Sequence, residues 1–219
     1  MSITPKEKYT QEQFLEALKD PEVKHLKDRE VFKGFYDRLG EMEVQKTQDY
    51  KEWRMDFIKM GTPNIFDQVI ELGCHAGFNL IHYARLGYNV TGVDVSTSLI
   101  ELAKEKISKE SPDVRNRITL VNAFIEDLPD SFDVKYKFAI ITETLEHVQD
   151  PLRILQRTTR LLTRKGIAFI SAPSTRTGLY NHVRGINPAE MKRLLIKAGL
   201  TVNQIWVKRK LTFAMAVKR

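Results

Sequence analysis

The chain has 219 residues, with 35 Lys+Arg against 28 Asp+Glu and a formal net charge of +7, a length that supports one medium domain or one domain with a short appendage. Hydrophobic residues make up 42% and charged residues 29%, which excludes a disordered polymer, while the single cysteine, Cys74, excludes an intrachain disulfide framework and a multi-cysteine zinc cluster. No run approaches the roughly 18 apolar residues of a membrane span, and the opening MSITPKEKYT lacks the apolar core of a signal peptide, so a soluble, cytoplasmic protein is expected.

The charge is divided along the chain. Residues 1–150 carry 20 basic and 27 acidic side chains, whereas residues 151–219 carry 15 basic side chains and one acid, Glu190. A balance of −7 against +14 suggests that the C-terminal part meets an anionic partner or substrate. The plainer alternative is that these lysines and arginines only keep the protein dispersed.

The first 65 residues read as helices over 11–20, 22–39 and 42–60. Thr10 and Gln13 have the spacing of a capping box, Pro21 and Gly40 interrupt, and Gly61-Thr62-Pro63 stops the third segment. Rich in charge and in aromatic residues (Phe32, Phe35, Tyr36, Tyr50, Trp53), residues 1–65 are expected to form a lid or outer layer. From residue 66 strands alternate with helices: strands over 68–73, 88–95, 117–123, 137–142 and 166–172, helices over 78–87, 98–110, 151–162 and 188–199. Two further strands, 201–207 and 211–218, are joined by Lys208-Arg209-Lys210 and must be antiparallel. The expected fold is α/β, a doubly wound Rossmann-like sheet of seven strands, mostly parallel with an antiparallel C-terminal hairpin, spanning 66–219.

The informative junction is Glu71-Leu72-Gly73-Cys74-His75-Ala76-Gly77, where a strand ends, glycines turn the chain and a helix begins. Ligands in open α/β sheets sit at such carboxyl ends. A dinucleotide site would want Gly-x-Gly-x-x-Gly; here a carboxylate, Glu71, stands where a pyrophosphate would be repelled. A carboxylate suits an ammonium or sulfonium ligand instead, which favours S-adenosylmethionine over NAD. The next strand ends in Gly92-Val93-Asp94-Val95-Ser96, whose acid can accept both ribose hydroxyls.

On these residues the chain resembles a class I S-adenosylmethionine-dependent methyltransferase from about Trp53 onward. Glu71–Gly77 matches the family's first motif, Gly92–Ser96 its second, and Ser98–Lys104 the helix that follows. The resemblance implies that Gly73 and Gly77 flank the methionine moiety, Glu71 supports its polar end and Asp94 binds ribose, with Cys74, His75 and Val95 among the cofactor-binding positions. Phe124, Ile125, Glu126 and Thr142 are the further cofactor-side positions it implies. The chain departs from the pattern twice. His75 replaces the usual second glycine, and Phe124 replaces the Asp that commonly reaches the adenine amine.

After the fourth strand comes Glu143-x-x-Glu146-His147, facing the transferred methyl group in this fold. His147 is the candidate base for a hydroxyl acceptor, since imidazole titrates near neutrality. Glu143, Glu146, His147 and His182, the last from Asn181-His182-Val183-Arg184, are also candidate ligands of a divalent metal: Mg²⁺ for oxygen-rich ligation, Mn²⁺ or Zn²⁺ with imidazole. The pattern resembles the O-methyltransferases of ubiquinone biosynthesis and the small-RNA 2′-O-methyltransferases. Without a metal, Glu143 would contact cofactor or acceptor, Glu146 would support the loop, and His182 would line the acceptor pocket.

Three functions remain open on this reading. The first is O-methylation of a small molecule, glycan or lipid precursor, with Arg176, Arg184, Lys192 and Arg193 receiving an anionic acceptor. The second is an RNA methyltransferase using the basic C-terminal region, with Lys208-Arg209-Lys210 beside Trp206. The third is a catalytically silent binding subunit, motivated by His75 and Phe124.

Overall fold

A computed structural model describes Arg29, Lys33, Gly34, Tyr36 and Asp37, residues 68–176 and residues 182–219. The helices expected over 11–20 and 42–60, the Thr10–Gln13 capping box, Phe32, Phe35, Tyr50, Trp53 and Asn181 lie outside the described residues. The five described residues between 29 and 37 are helical, and Arg29, Lys33, Tyr36 and Asp37 have the spacing of one helix face.

Seven strands form one sheet in the order β3-β2-β1-β4-β5-β7-β6. They are β1 (Gln68–Leu72), β2 (Asn89–Asp94), β3 (Ile118–Asn122), β4 (Tyr136–Thr142), β5 (Leu162–Pro173), β6 (Leu200–Lys208) and β7 (Leu211–Lys218). β1 pairs in parallel with β2 and β4, β2 with β3, and β4 with β5; β7 runs antiparallel between β5 and β6. The sequence order reverses between β1 and β4, so their carboxyl ends form the switch point at which ligands bind in open α/β sheets. The seven-stranded architecture and its antiparallel hairpin are as the sequence implies.

Alternation along the strands feeds two cores. On one face Ile70, Leu72, Val93 and Ile141 meet α4 (Pro151–Leu161), through Ile154 and Leu155, and α5 (Pro188–Lys197), through Met191 and Leu195. On the other, Val69, Phe138, Ile140 and Phe169 pack with Leu80 and Tyr83 of α1 (Phe78–Arg85) and Ile100 of α2 (Thr97–Ser108). A single turn, α3 (Pro112–Arg115), leads into β3. No described helix is long and apolar enough to cross a membrane.

Two details differ from the sequence reading. β5 starts at Leu162, four residues before the expected strand, because Leu161 and Leu162 are both fully buried and Leu162 pairs directly with Tyr136. The surplus residues are absorbed by a register shift opposite Tyr136/Phe138, with Lys165 at φ +61°. After β3 the chain makes two short 3₁₀ turns, Ile125–Asp127 and Asp130–Phe132.

Candidate active site

β1 delivers Glu71 to the sheet's carboxyl end almost completely buried, at 2% exposure. Its Oε1 accepts a hydrogen bond from Asn79 Nδ2 on the first turn of α1, while Oε2 has no hydrogen-bond partner among the described residues. Burial pushes the carboxyl up to about 8; the Asn79 bond opposes the shift and the neighbouring Asp94 adds to it. A buried carboxylate oxygen left unmatched is costly, and a cationic ligand would satisfy it.

The turn that follows needs glycine at two places. Gly73 has φ +83°, and a Cβ there would lie 2.3 Å from Thr144 Oγ1 on the loop after β4. Gly77, at φ +77°, is the N-cap of α1. Between them His75 also takes a left-handed backbone, φ +50°, the conformation that a glycine adopts without strain. Its amide donates to Asp94 Oδ2 at 2.8 Å. Cys74 is buried, its amide donating to Val93 O at 3.0 Å, and burial pushes its thiol well above the ordinary range. That describes an inert packing residue.

Asp94 ends β2 with both oxygens engaged, Oδ2 by His75 N and Oδ1 by Ser96 N at 3.0 Å. Burial raises its pKa, with those amides and the His75 side chain pulling the other way. Each oxygen keeps a further lone pair, so a diol can still be received. Ser96 Oγ caps α2 by accepting from Leu99 N, and Asp37 extends the cap by accepting from Thr97 N and Ser98 N. Tyr36 O accepts from Ser96 Oγ at 3.0 Å. Phe124 lies under the Arg29 guanidinium, 4.0 Å from ring centroid, and Arg29 also pairs with Asp127. Ile125 is buried and Glu126 half-buried on the same turn; Val95 and Thr142 are half-buried.

The loop after β4 turns sharply at Glu143, φ +48°, whose amide donates to Ser171 O on β5 at 2.9 Å. Thr144 Oγ1 bonds Leu72 O at 3.1 Å, tying this loop to the end of β1. Glu146 is fully buried, and His147 Nε2 lies 3.9 Å from its Oε1. His182, from the loop before α5, meets the His147 ring edge-on at 4.8 Å between centroids, because Val183 N donates to Glu146 O. Tyr36 packs against His147 in the same manner, at 5.6 Å. Burial holds the His182 imidazole below its usual range.

Of the four expected metal ligands, three converge: ligand atoms of Glu146, His147 and His182 all lie within 4.8 Å of one another, and Glu143 is outside the group. The donor chemistry fits a divalent cation. One carboxylate and two imidazoles suit Zn²⁺ or Mn²⁺ better than Mg²⁺, which prefers oxygen.

Residues 70–170 match the model of a methyltransferase domain. A ubiquinone biosynthesis O-methyltransferase of Actinobacillus pleuropneumoniae serotype 5b (strain L20) is 31% identical over 119 residues, covering 54% of this chain and 51% of that protein. The chain thus spans about half the length of the curated relatives it matches. The fold is similar to that of the cyclase SpnF (TM-score 0.68, 15% identity, 76% of this chain and 80% of that one). It is also similar to that of the glycopeptide N-methyltransferase MtfA complexed with S-adenosylmethionine (TM-score 0.64, 15% identity, 77% and 93%). The strand order, the paired carboxyl-end acids and these matches make the chain similar to the class I S-adenosylmethionine-dependent methyltransferases, with residues 70–170 matching their domain model. Within that class the sequence relatives are O-methyltransferases.

Sequence reasoning missed Asn79, Thr144, Arg29 and Asp37. Asn79 is the only one with a readable signal, a polar residue in the first turn of the helix that follows the motif. The others act through contacts between residues about 60 or more apart, as in Asp37 to Ser98 and Thr144 to Leu72.

Proposed function

We propose that the chain transfers the methyl group of S-adenosylmethionine to a hydroxyl of a small molecule, glycan or lipid precursor. When bound, the cofactor supplies an electrophilic methyl on a sulfonium. Glu71, with its unmatched buried Oε2, suits the cationic methionine end, and Asp94 suits the ribose, with Gly73 and Gly77 keeping the turn open. Phe124 and Ile125 offer apolar surface on the adenine side.

The observation that carries O-methylation is the group of Glu146, His147 and His182 beside the end of β4, with Glu146 and His182 buried and His147 half-buried. In this reading His147 takes the acceptor hydroxyl's proton as the oxygen attacks the methyl carbon. The Glu146 carboxylate, 3.9 Å from His147 Nε2, stabilises the imidazolium that results. His182, kept neutral by burial, lines the acceptor side. A second reading is favoured by the same three side chains: a divalent ion held there would lower the acceptor hydroxyl's pKa, and His147 would then be a ligand and no longer the base. Residues 1–65 serve in either case as a lid, with Tyr36 closing over His147.

Fractionated lysate incubated with radiolabelled S-adenosylmethionine, with and without RNase, tests the acceptor class. Label in an RNase-resistant low-molecular-weight or glycan fraction is expected; label lost to RNase would move the assignment to RNA. His147→Ala should cut transfer by about 10²–10⁴ with cofactor affinity unchanged, and a wild-type rate would remove His147 from the mechanism. Activity that survives EDTA would remove the metal.

A further inference from the structure

We propose that Asp127 and Arg29 read the base of the cofactor, Asp127 accepting a hydrogen bond from the adenine amino group and Arg29 donating to the ring nitrogen beside it. This rests on the S-adenosylmethionine reading of the site. With the methionine end at Glu71 on β1 and the ribose at Asp94 on β2, the base falls on the remaining side, at the carboxyl end of β3. The two strand ends adjoin there: Asp94 pairs with Asn122, and Ala123 N donates to Asp94 O at 3.1 Å. The residues just after β3 are thus the next that a group attached to the ribose can reach.

Phe124 opens the 3₁₀ turn Ile125–Asp127, and Asp127 N donates back to Phe124 O at 3.1 Å. Residues three apart eclipse in such a turn, so Phe124 and Asp127 share one side of it while Glu126 is turned away. Arg29 joins the two: its guanidinium lies 4.0 Å from the Phe124 ring centroid, and its Nη2 pairs with Asp127 Oδ2. An aromatic face, a carboxylate and a guanidinium therefore meet at one point. The segment carrying Arg29 is anchored on the ribose side, where Tyr36 O accepts from Ser96 Oγ and Asp37 accepts from Thr97 N and Ser98 N. Asp127 gives Arg29 its Oδ2, which leaves Oδ1 to accept from a ligand. Arg29 Nε is buried without a hydrogen-bond partner among the described residues, a donor left for a ligand. An acceptor beside a donor complements the amino group and N7 of adenine. Hypoxanthine, with a carbonyl in place of the amino group, would set oxygen against the carboxylate.

The test uses the whole chain and two probes that differ only at that position, S-adenosylhomocysteine and S-inosylhomocysteine, with affinities measured by calorimetry. Wild type should prefer the adenosyl ligand by about tenfold or more, the value of one charge-assisted hydrogen bond. Asp127→Ala should bring the two ligands within about threefold of each other; its side chain is 49% exposed, so the thermal midpoint should stay near that of wild type. Arg29→Ala should narrow the preference in the same direction, because Asp127 loses the group that positions it. Phe124→Leu should weaken both ligands alike and keep their ratio, which separates packing against the base from reading its edge. A wild type that binds both ligands equally, an unchanged ratio in Asp127→Ala, or a ratio lost in Glu126→Ala instead overturns the pair and leaves the cofactor reading standing. Failure of wild type to bind S-adenosylhomocysteine at all would overturn the cofactor reading and the pair with it.

Discussion

Cofactor binding should expel a proton from Glu71. With its carboxyl held near 8 by burial, the ligand-free protein carries it protonated in about nine of ten molecules at pH 7. A cationic methionine end requires the carboxylate. Ionising the group costs about 1.4 kcal/mol at pH 7 and about twice that at pH 6. The dissociation constant should therefore improve about tenfold per pH unit between roughly pH 6 and 8 and level off above. Calorimetry at pH 7 in buffers of different ionisation enthalpy should count about 0.9 proton released. Glu71→Gln keeps an oxygen for Asn79, so the turn should survive while the proton release and the pH slope vanish. Its affinity above pH 8 should fall about ten- to a hundredfold, the value of one charge-assisted contact in a buried site.

The same shift has a stability consequence with a definite sign. Between the unfolded value of 4.5 and the folded value of about 8, the folded chain holds the proton that the unfolded chain has lost. Ligand-free stability must then fall as pH rises through that window, by at most about 1.4 kcal/mol per unit. The slope should be shallower in Glu71→Gln. A wild-type dissociation constant that is flat from pH 6 to 8, or an equal proton count in the variant, would refute the reasoning.

Three other substitutions probe the backbone around the site. His75→Gly should keep S-adenosylmethionine affinity within about threefold, because the amide to Asp94 survives and the left-handed strain is relieved; a large loss would give the imidazole a direct role. Gly73→Ala should destabilise the fold by about 3 kcal/mol or more, and adding Thr144→Ala should recover only the steric share, so denaturant melts of the pair must be non-additive. Asp37→Ala removes an acceptor from Thr97 N and Ser98 N, at a cost of about 1 kcal/mol. Hydrogen exchange at those two amides should quicken, and unchanged protection would mean the N-terminal helix does not hold that position in solution.

Local patterns carried most of the sheet. Near-continuous apolar runs such as Val69–Leu72 and Phe138–Ile141 announce buried parallel strands, and Glu71 and Asp94 stand at their ends, where the chemistry of this fold sits. Glu146 and His147 were legible as neighbours. That His182 reaches them depends on Val183 N bonding Glu146 O across 37 residues, which no periodicity encodes. Glu143 fell within the same five residues as Glu146 and His147, yet the left-handed turn at its Cα separates it from the other donors. The extra length of β5 was hidden because Leu162 reads equally well as the last residue of an apolar helix face.

The two non-glycine left-handed residues at the switch point, His75 after β1 and Glu143 after β4, offset their strain in the same way. Each turns its amide onto the end of a neighbouring strand, His75 N to Asp94 Oδ2 at 2.8 Å and Glu143 N to Ser171 O at 2.9 Å. A net hydrogen bond is worth about 1 kcal/mol, comparable to the cost of the backbone conformation. Thr144 then bonds Leu72 O, so the β1 and β4 loops brace one another before any ligand arrives. A site whose backbone is already fixed has little ordering entropy to lose. On the proposed role of Glu71, cofactor affinity should then be governed chiefly by charge, with this buried carboxyl, held up to about 8, as its main control.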